Sequence, residues 1–309
     1  MIGMIIAEVG GNHDGNIGIA FELIEQAALC GADAVKFQSY EAEKLVHPTA
    51  EALPQAKGYT KQVDRFKDLE FTWDEWQQII TCCKKNNIEF MTSCFDIVTL
   101  QKFLPYLKRV KIASGDLTFD RYLRFIALQE RPVILSTGMS DYQEIEKAAS
   151  LFKYKDLTVM HCVSLYPTPP EHANLGVLRE LSKKYRVGYS DHSEGTLACV
   201  LALAAGAEVI EKHFTLDSSL DYGDHPLSAE PEDLRDLVEM AKTVKEMFGT
   251  DKPDPKEDRV KMRRGYYAKK PVRFGQIITE NDFIELRPAI NTNPIGKRAR
   301  KDYEPLEPF

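Results

Sequence analysis

The 309-residue sequence contains no apolar run approaching the ~20 residues needed to span a bilayer, so a membrane-embedded role is not expected. It also lacks an excess of positive charge: 40 Lys and Arg face 47 Asp and Glu, a formal net charge of −7. A nucleic-acid binder needs clustered cations to meet phosphates, so that function class is set aside. Six cysteines are present but no CxxC pair; Cys82 and Cys83 are adjacent, and Cys30 and Cys199 sit in apolar helical stretches. They read as reduced, mostly buried thiols, not as a disulfide or zinc framework. The run Met4–Val9 is too short and too acidic for a signal peptide and has no basic flank. A soluble, cytoplasmic chain is therefore expected. Neither a P-loop nor a glycine-rich dinucleotide fingerprint occurs, so no nucleotide cofactor is indicated.

What is present is a repeating pattern. Eight short Val- and Ile-rich runs appear at 4–9, 34–38, 89–93, 109–113, 132–137, 157–162, 186–190 and 208–213. Segments with helical spacing lie between them, among them 17–30, 73–86, 142–152, 196–205 and 231–248. Eight strand–helix units in about 245 residues predict a (β/α)8 TIM barrel. A faint repeat supports this: Cys30–Lys36 resembles Ala205–Lys212, each with a glycine placed to end a helix before a buried strand. The stretch from Tyr40 to about Phe71 reads as one long irregular loop on the active-site rim. A Pro/Gly/Asp cluster begins at Gly249, so the expected division is a barrel over 1–249, a linker over 250–263 and a small β-rich module over 264–309. So short a module has little core of its own and is expected to lean on another surface.

In a barrel the chemistry gathers at the C-terminal ends of the strands. Here every strand end is polar: Glu8 with Asn12 and His13; Lys36 and Gln38; Thr92 and Ser93; Lys111 and Ser114; Ser136 and Thr137; His161, Ser164 and Tyr166; Ser190-Asp191-His192; Lys212-His213. Eight in succession point to an enzyme. Lys36 and Lys111 lie in otherwise apolar strands, where an unpaired charge is expensive. With Thr92, Ser114, Ser136 and Ser190 they suggest an anion site suited to a phosphate-bearing substrate. His192 and His213 end neighbouring strands, flanked by Asp191 and Glu211, and could share a catalytic divalent metal. Manganese, iron, cobalt and zinc are all compatible with that donor set. Tyr166 and Asp224, in rigid loops after strands six and eight, could bind sugar hydroxyls.

Read together, Ile6–Gly15, Ala34–Gln38, Lys111–Gly115, Leu135–Met139, Tyr166–Pro169, Gly188–His192 and Glu211–Phe214 strongly resemble the sialic acid synthases across nearly the whole chain. The tail, ending its motif in Leu286-Arg287-Pro288, resembles that family's antifreeze-like (SAF) domain. The resemblance implies condensation of phosphoenolpyruvate with an N-acetylated amino-sugar aldehyde, giving a nonulosonic acid and phosphate. It implies that Glu8 handles a substrate proton and hydroxyl, and that Lys36, Thr92, Lys111, Ser114, Ser136, Ser164 and Ser190 bind phosphoenolpyruvate. It gives Gln38, Tyr166 and Asp224 to the sugar, and His192 and His213 to Mn2+ or Mg2+. It further implies a domain-swapped homodimer in which Arg287 reaches the neighbouring subunit's sugar. Departures are Ser164, where some members have Asn, Gly223 before Asp224 in place of a frequent Pro, and a shorter segment around Pro294–Lys297. Two other readings compete: a phosphoenolpyruvate-dependent synthase using another aldose, and a non-catalytic sugar-phosphate-binding protein.

Overall fold

The computed structural model of the protein describes residues 3–153, 156–249, 262–289 and 291–309. The expected linker, 250–263, lies outside the described residues except for its last two positions. The chain divides into two units, Met1–Phe248 and Gly249–Phe309.

The first unit is a closed parallel barrel of eight strands in sequence order, β1 Met4–Gly10, β2 Ala34–Ser39, β3 Glu89–Cys94, β4 Val110–Ile112, β5 Val133–Ser136, β6 Leu157–Cys162, β7 Arg186–Asp191 and β8 Val209–His213. The expected (β/α)8 TIM barrel is therefore what forms. Its helices are α1 Ile17–Leu29, α2 Ala42–Leu45, α3 Gln62–Asp68, α4 Trp73–Lys85, α5 Ile97–Phe103, α6 Asp120–Ala127, α7 Tyr142–Ser150, α8 Val177–Leu181, α9 Leu197–Ala204 and α10 Pro231–Phe248. Local chemistry starts and stops them. Asp141 and Glu144 form a capping box at α7, as Thr72 and Glu75 do at α4. The glycines of the internal repeat, Gly31 (φ 85°) and Gly206 (φ 102°), end α1 and α9 with paired bonds, Gly31 N to Ala28 O with Ala32 N to Ala27 O, and Gly206 N to Leu203 O with Ala207 N to Ala202 O. That pattern is a Schellman motif, and the left-handed backbone it needs costs glycine nothing.

Alternation along each strand decides what faces the barrel axis. Ile5, Ala7, Val9, Val35, Phe37 and their equivalents pack outward against the helices in the main core. Met4, Ile6, Ala34, Met91, Ile134, Met160 and Val209 point inward and form a separate apolar cluster. Each fully buried Ile, Met or Val of this set contributes roughly 1.5–3 kcal/mol relative to exposure. This plug fills the lower barrel, and the polar residues begin one pleat above it.

The stretch 40–71 is not one irregular loop; it contains α2 and α3. The Glu70 carboxylate accepts from the Ala42 backbone N–H, and the Tyr40 and Phe66 rings meet edge-on at 5.1 Å, so the segment is tied down at both ends. These long-range ties are invisible to local periodicity.

In the second unit, β9 Gly265–Ala268 pairs antiparallel with β10 Phe283–Leu286. A small core of Ala268, Val272, Ile278, Ala299 and Tyr303 holds it. The turn at Phe274-Gly275 is followed by a bridge, Ile277 to Arg298, and by a helical turn with Thr279 and Asp282 as reciprocal caps. Among the described residues, no helix is long and apolar enough to cross a membrane.

Candidate active site

A cavity of about 790 Å3 opens at the C-terminal ends of the strands. Its floor is a charged quartet. The register sets Glu8 opposite Lys36 on one side and His213 on the other. Lys36 Nζ lies 2.8 Å from Glu8 Oε2 and 3.8 Å from Glu211 Oε1, and donates to Ser93 Oγ at 3.2 Å. Lys111 Nζ donates to Ser136 Oγ at 2.8 Å and lies 3.4 Å from Glu211 Oε2. Ser190 Oγ donates to Glu211 Oε1 (3.1 Å), and Gln38 Nε2 to Glu8 Oε1 (3.2 Å). All four ionisable groups are at least 95% buried.

Burial and mutual charge divide their protonation. Burial pushes Glu8 up to about 6, a rise that Lys36 only partly offsets. Burial raises Glu211 too, but the Lys111 and Lys36 ammoniums outweigh it and hold that carboxyl well below the usual range. Lys111 is lowered by burial despite Glu211, whereas for Lys36 the Glu211 and Glu8 carboxylates overcome burial and raise it. The quartet is thus near neutral, with Glu8 the member that exchanges a proton close to physiological pH.

Beside it lies a donor cradle. The Gly138 N–H points to Ser114 Oγ and Cys162 Sγ, both at 3.1 Å. A Cβ at position 138 would sit 2.4 Å from Ser164 Oγ and 2.9 Å from Ser114 Oγ, so only glycine lets the backbone amide and hydroxyls converge here. Lysines, hydroxyls and a backbone amide form a suitable surface for phosphate and carboxylate oxygens.

The His192 and His213 rings lie above, centroids 5.5 Å apart. His192 Nδ1 meets the Val163 carbonyl at 2.6 Å, which leaves Nε2 toward the Tyr166 hydroxyl at 3.1 Å. Burial lowers both imidazoles, His213 to about 4, so both are neutral and can donate lone pairs. His213 Nδ1 is buried without a hydrogen-bond partner, 3.7 Å from Asp224 Oδ2. Two neutral imidazoles, one orphaned, near a carboxylate fit a divalent ion. Among the described residues no group of three or more His, Cys, Asp or Glu is placed to hold a metal ion, so the protein offers a metal here two imidazoles at most and leaves its other positions to water or substrate.

Of the residues singled out in the sequence, Glu8, Lys36, Gln38, Lys111, Ser114, Ser136, Ser164, Tyr166, Ser190, His192, His213 and Asp224 all line this cavity. Thr92 does not. It has the outward parity of β3, bonding Ser39 Oγ at 2.7 Å and the Phe37 carbonyl at 3.2 Å, and its neighbour Ser93 faces the site instead. Asp191 and Lys212 likewise face the helices, as a fully buried pair at 2.8 Å. The expectation that Asp191 flanks the histidines is corrected accordingly. His161 binds the Ala173 carbonyl at 2.9 Å, and Asn12 clamps Phe214 O and Ser228 Oγ. Arg287 is exposed in the second unit, just after β10. Cys162 and the pairing of Glu211 with both lysines were missed, and Ser93 was named only as a polar strand end; strand parity would have placed all three in the site.

Residues 23–253 match the NeuB family. The chain is 35% identical over 324 residues to the N,N'-diacetyllegionaminic acid synthase of Campylobacter jejuni, covering 97% of both chains. It is 33% identical over 321 residues to a pseudaminic acid synthase of the same species, covering 97% of this chain and 93% of that one. Among solved structures, it is similar to the N-acetylneuraminic acid synthetase of Leptospira borgpetersenii, with TM-score 0.76, 35% identity, and coverage of 83% of this chain and 88% of that one. With a site of this composition and a family match running through seven of the eight strand ends and beyond, the chain belongs to the NeuB family.

Proposed function

We propose that this protein is a cytoplasmic synthase that condenses phosphoenolpyruvate with an N-acetylated amino-sugar aldehyde, giving a nonulosonic acid and phosphate. The carrying observation is one cavity that holds the buried pair Lys36 and Lys111, the serines 114, 136, 164 and 190, and two neutral histidines. Its relatives' names, legionaminic, pseudaminic and sialic acid synthases, support the reading. Six free cysteines suit a reducing compartment.

Lys36, Lys111, Ser114, Ser136, Ser164 and Ser190 bind the carboxylate and phosphate of phosphoenolpyruvate and present its carbon 3 upward. Gln38, Tyr166 and Asp224 hold the open-chain sugar with its aldehyde toward His192 and His213. Bound at those histidines, Mn2+ or Mg2+ supplies Lewis-acid polarisation for the aldehyde. Carbon 3 bonds to the aldehyde carbon and water adds at carbon 2; one water proton ends on the former aldehyde oxygen, and the carbon 2–oxygen bond breaks as the new hydroxyl becomes the carbonyl and its proton leaves with phosphate. Glu8, buried between Lys36 and the histidine strand, takes the proton from the attacking water. Fixed charges and donors that need no reorganisation carry much of the rate. The proposal extends to the tail: the second unit is an antifreeze-like domain, and exposed Arg287 serves the sugar of a partner subunit in a domain-swapped homodimer. Its small core and the exposed Ile284 and Leu286 beside Arg287 support this.

The test is phosphate release from phosphoenolpyruvate with manganese present, across acetamido sugars and arabinose 5-phosphate. Release dependent on an acetamido sugar is expected. Release with arabinose 5-phosphate alone, or saturable binding without release, overturns the reading.

A further inference from the structure

Arg65 enters the same cavity from α3 and has no part in the reaction described above. Its side chain is 16% exposed, and among the described residues the one carboxylate within ion-pair range is Asp14, at 3.6 Å, longer than a hydrogen bond. Asp14 Oδ1, the atom it approaches, has no hydrogen-bond partner, because Tyr222 (2.9 Å) and His225 (3.4 Å) are both drawn to Oδ2. The guanidinium also lies 5.6 Å from the centre of the Tyr59 ring, so it is held between its counter-ion and an aromatic face with donors left over.

Gly223 borders it, its left-handed backbone suiting glycine. Its φ is +56°, and a Cβ there would lie 3.4 Å from Arg65 Nη2, directly before the sugar-side residue Asp224. The Gly223 N–H donates to the Gln55 carbonyl at 2.9 Å, tying the β8 loop to the segment that carries α3. The lining of the same cavity includes an apolar set, Leu45, Val46, Leu53, Phe66, Leu69 and Phe95.

Resting on the synthase reading, we propose that Arg65 determines sugar specificity by donating to the carbonyl of a second acetamido group, so that the substrate is a diacetamido-trideoxy hexose. An arginine already half neutralised by Asp14 suits a neutral acceptor. A phosphate dianion would be repelled by that carboxylate and would lose its water against the aliphatic wall. The same wall takes the acetamido methyl and the deoxy terminus of such a sugar.

The experiment compares phosphate release by wild type, Arg65→Met and Arg65→Lys with a diacetamido-trideoxy mannose, N-acetylmannosamine and N-acetylmannosamine 6-phosphate. Wild type is expected to prefer the diacetamido sugar by about tenfold or more in kcat/KM. Arg65→Met should lower kcat/KM for that sugar roughly ten- to hundredfold, chiefly through KM, and at least about tenfold more than for N-acetylmannosamine. Arg65→Lys, with charge but no planar fork, should fall between. Unchanged phosphoenolpyruvate affinity by calorimetry shows that both variants are folded. A wild-type preference for N-acetylmannosamine or its 6-phosphate, or equal losses on all sugars, overturns this assignment and leaves the synthase reading standing. No release by wild type with any sugar overturns both.

Discussion

The two ends of the barrel carry comparable numbers of charged residues, and they use them differently. At the N-terminal end a cavity of about 720 Å3 is rimmed by Arg109, Glu89, Arg186, Asp156 and Glu208. There each arginine has a carboxylate at hydrogen-bonding distance: Arg109 Nε to Glu89 at 2.8 Å, Arg186 to Asp156 at 2.6 Å and to Glu208 at 3.0 Å. The rim is partly exposed and internally satisfied, so it fastens neighbouring strands and has little left to offer a ligand. At the C-terminal end the charges are buried, their pKa values are pushed apart, and polar atoms such as His213 Nδ1 are left without partners. Charge alone does not mark a site; burial combined with unfinished hydrogen bonding does.

The contrast is broken most directly by paired substitutions at the two ends. Lys111→Met should reduce kcat/KM by roughly a thousandfold or more, because it removes a fixed charge from a dry site. Arg109→Met should leave kcat/KM unchanged and cost on the order of 1–3 kcal/mol in chemical denaturation, from the partly buried Glu89 left behind. Equal activity losses would dissolve the distinction. His213→Ala should lower turnover by at least about a hundredfold, and added manganese should fail to restore it; titration by electron paramagnetic resonance should show the bound manganese lost as well. Normal turnover in that variant would remove the histidines from the mechanism.

A smaller effect concerns pH. Glu8 is raised to about 6 and in the proposed reaction acts ionised, so kcat/KM should climb with pH up to about 6 and level off above it. A flat profile between pH 5 and 7, where roughly tenfold is expected, would take Glu8 out of proton transfer. The smallest pair sharpens the parity argument on β3. Ser93→Ala should raise the KM for phosphoenolpyruvate severalfold by taking a hydroxyl from Lys36, whereas Thr92→Val should not move it.

Much of this was legible in the sequence. Val- and Ile-rich runs at regular spacing marked all eight strands to within a residue or two, because strands buried on both sides carry continuous apolar signals. The resemblance then named twelve residues that converge on one cavity. What was lost was facing. Ser190-Asp191-His192 and Lys212-His213 read as polar clusters, but a strand sends neighbours to opposite sides, so Asp191 and Lys212 belong to the core and Glu211 to the site. α3 and Arg65 were lost for another reason: seven residues within a polar segment have no strong periodicity, and their position depends on contacts such as Tyr40 with Phe66 that no window of sequence contains.

The apolar plug of Ile6, Ala34, Met91, Ile134, Met160 and Val209 has a kinetic corollary. It closes the barrel from below, so the well opens at the C-terminal ends of the strands. Under the proposed reaction, phosphoenolpyruvate occupies the bottom, against Lys36 and Lys111, and the sugar stands in the doorway near Asp224. Whatever lodges deepest has to arrive first and depart last. The enzyme should therefore queue its substrates, phosphoenolpyruvate ahead of sugar, with phosphate trapped until the nine-carbon product has cleared the exit.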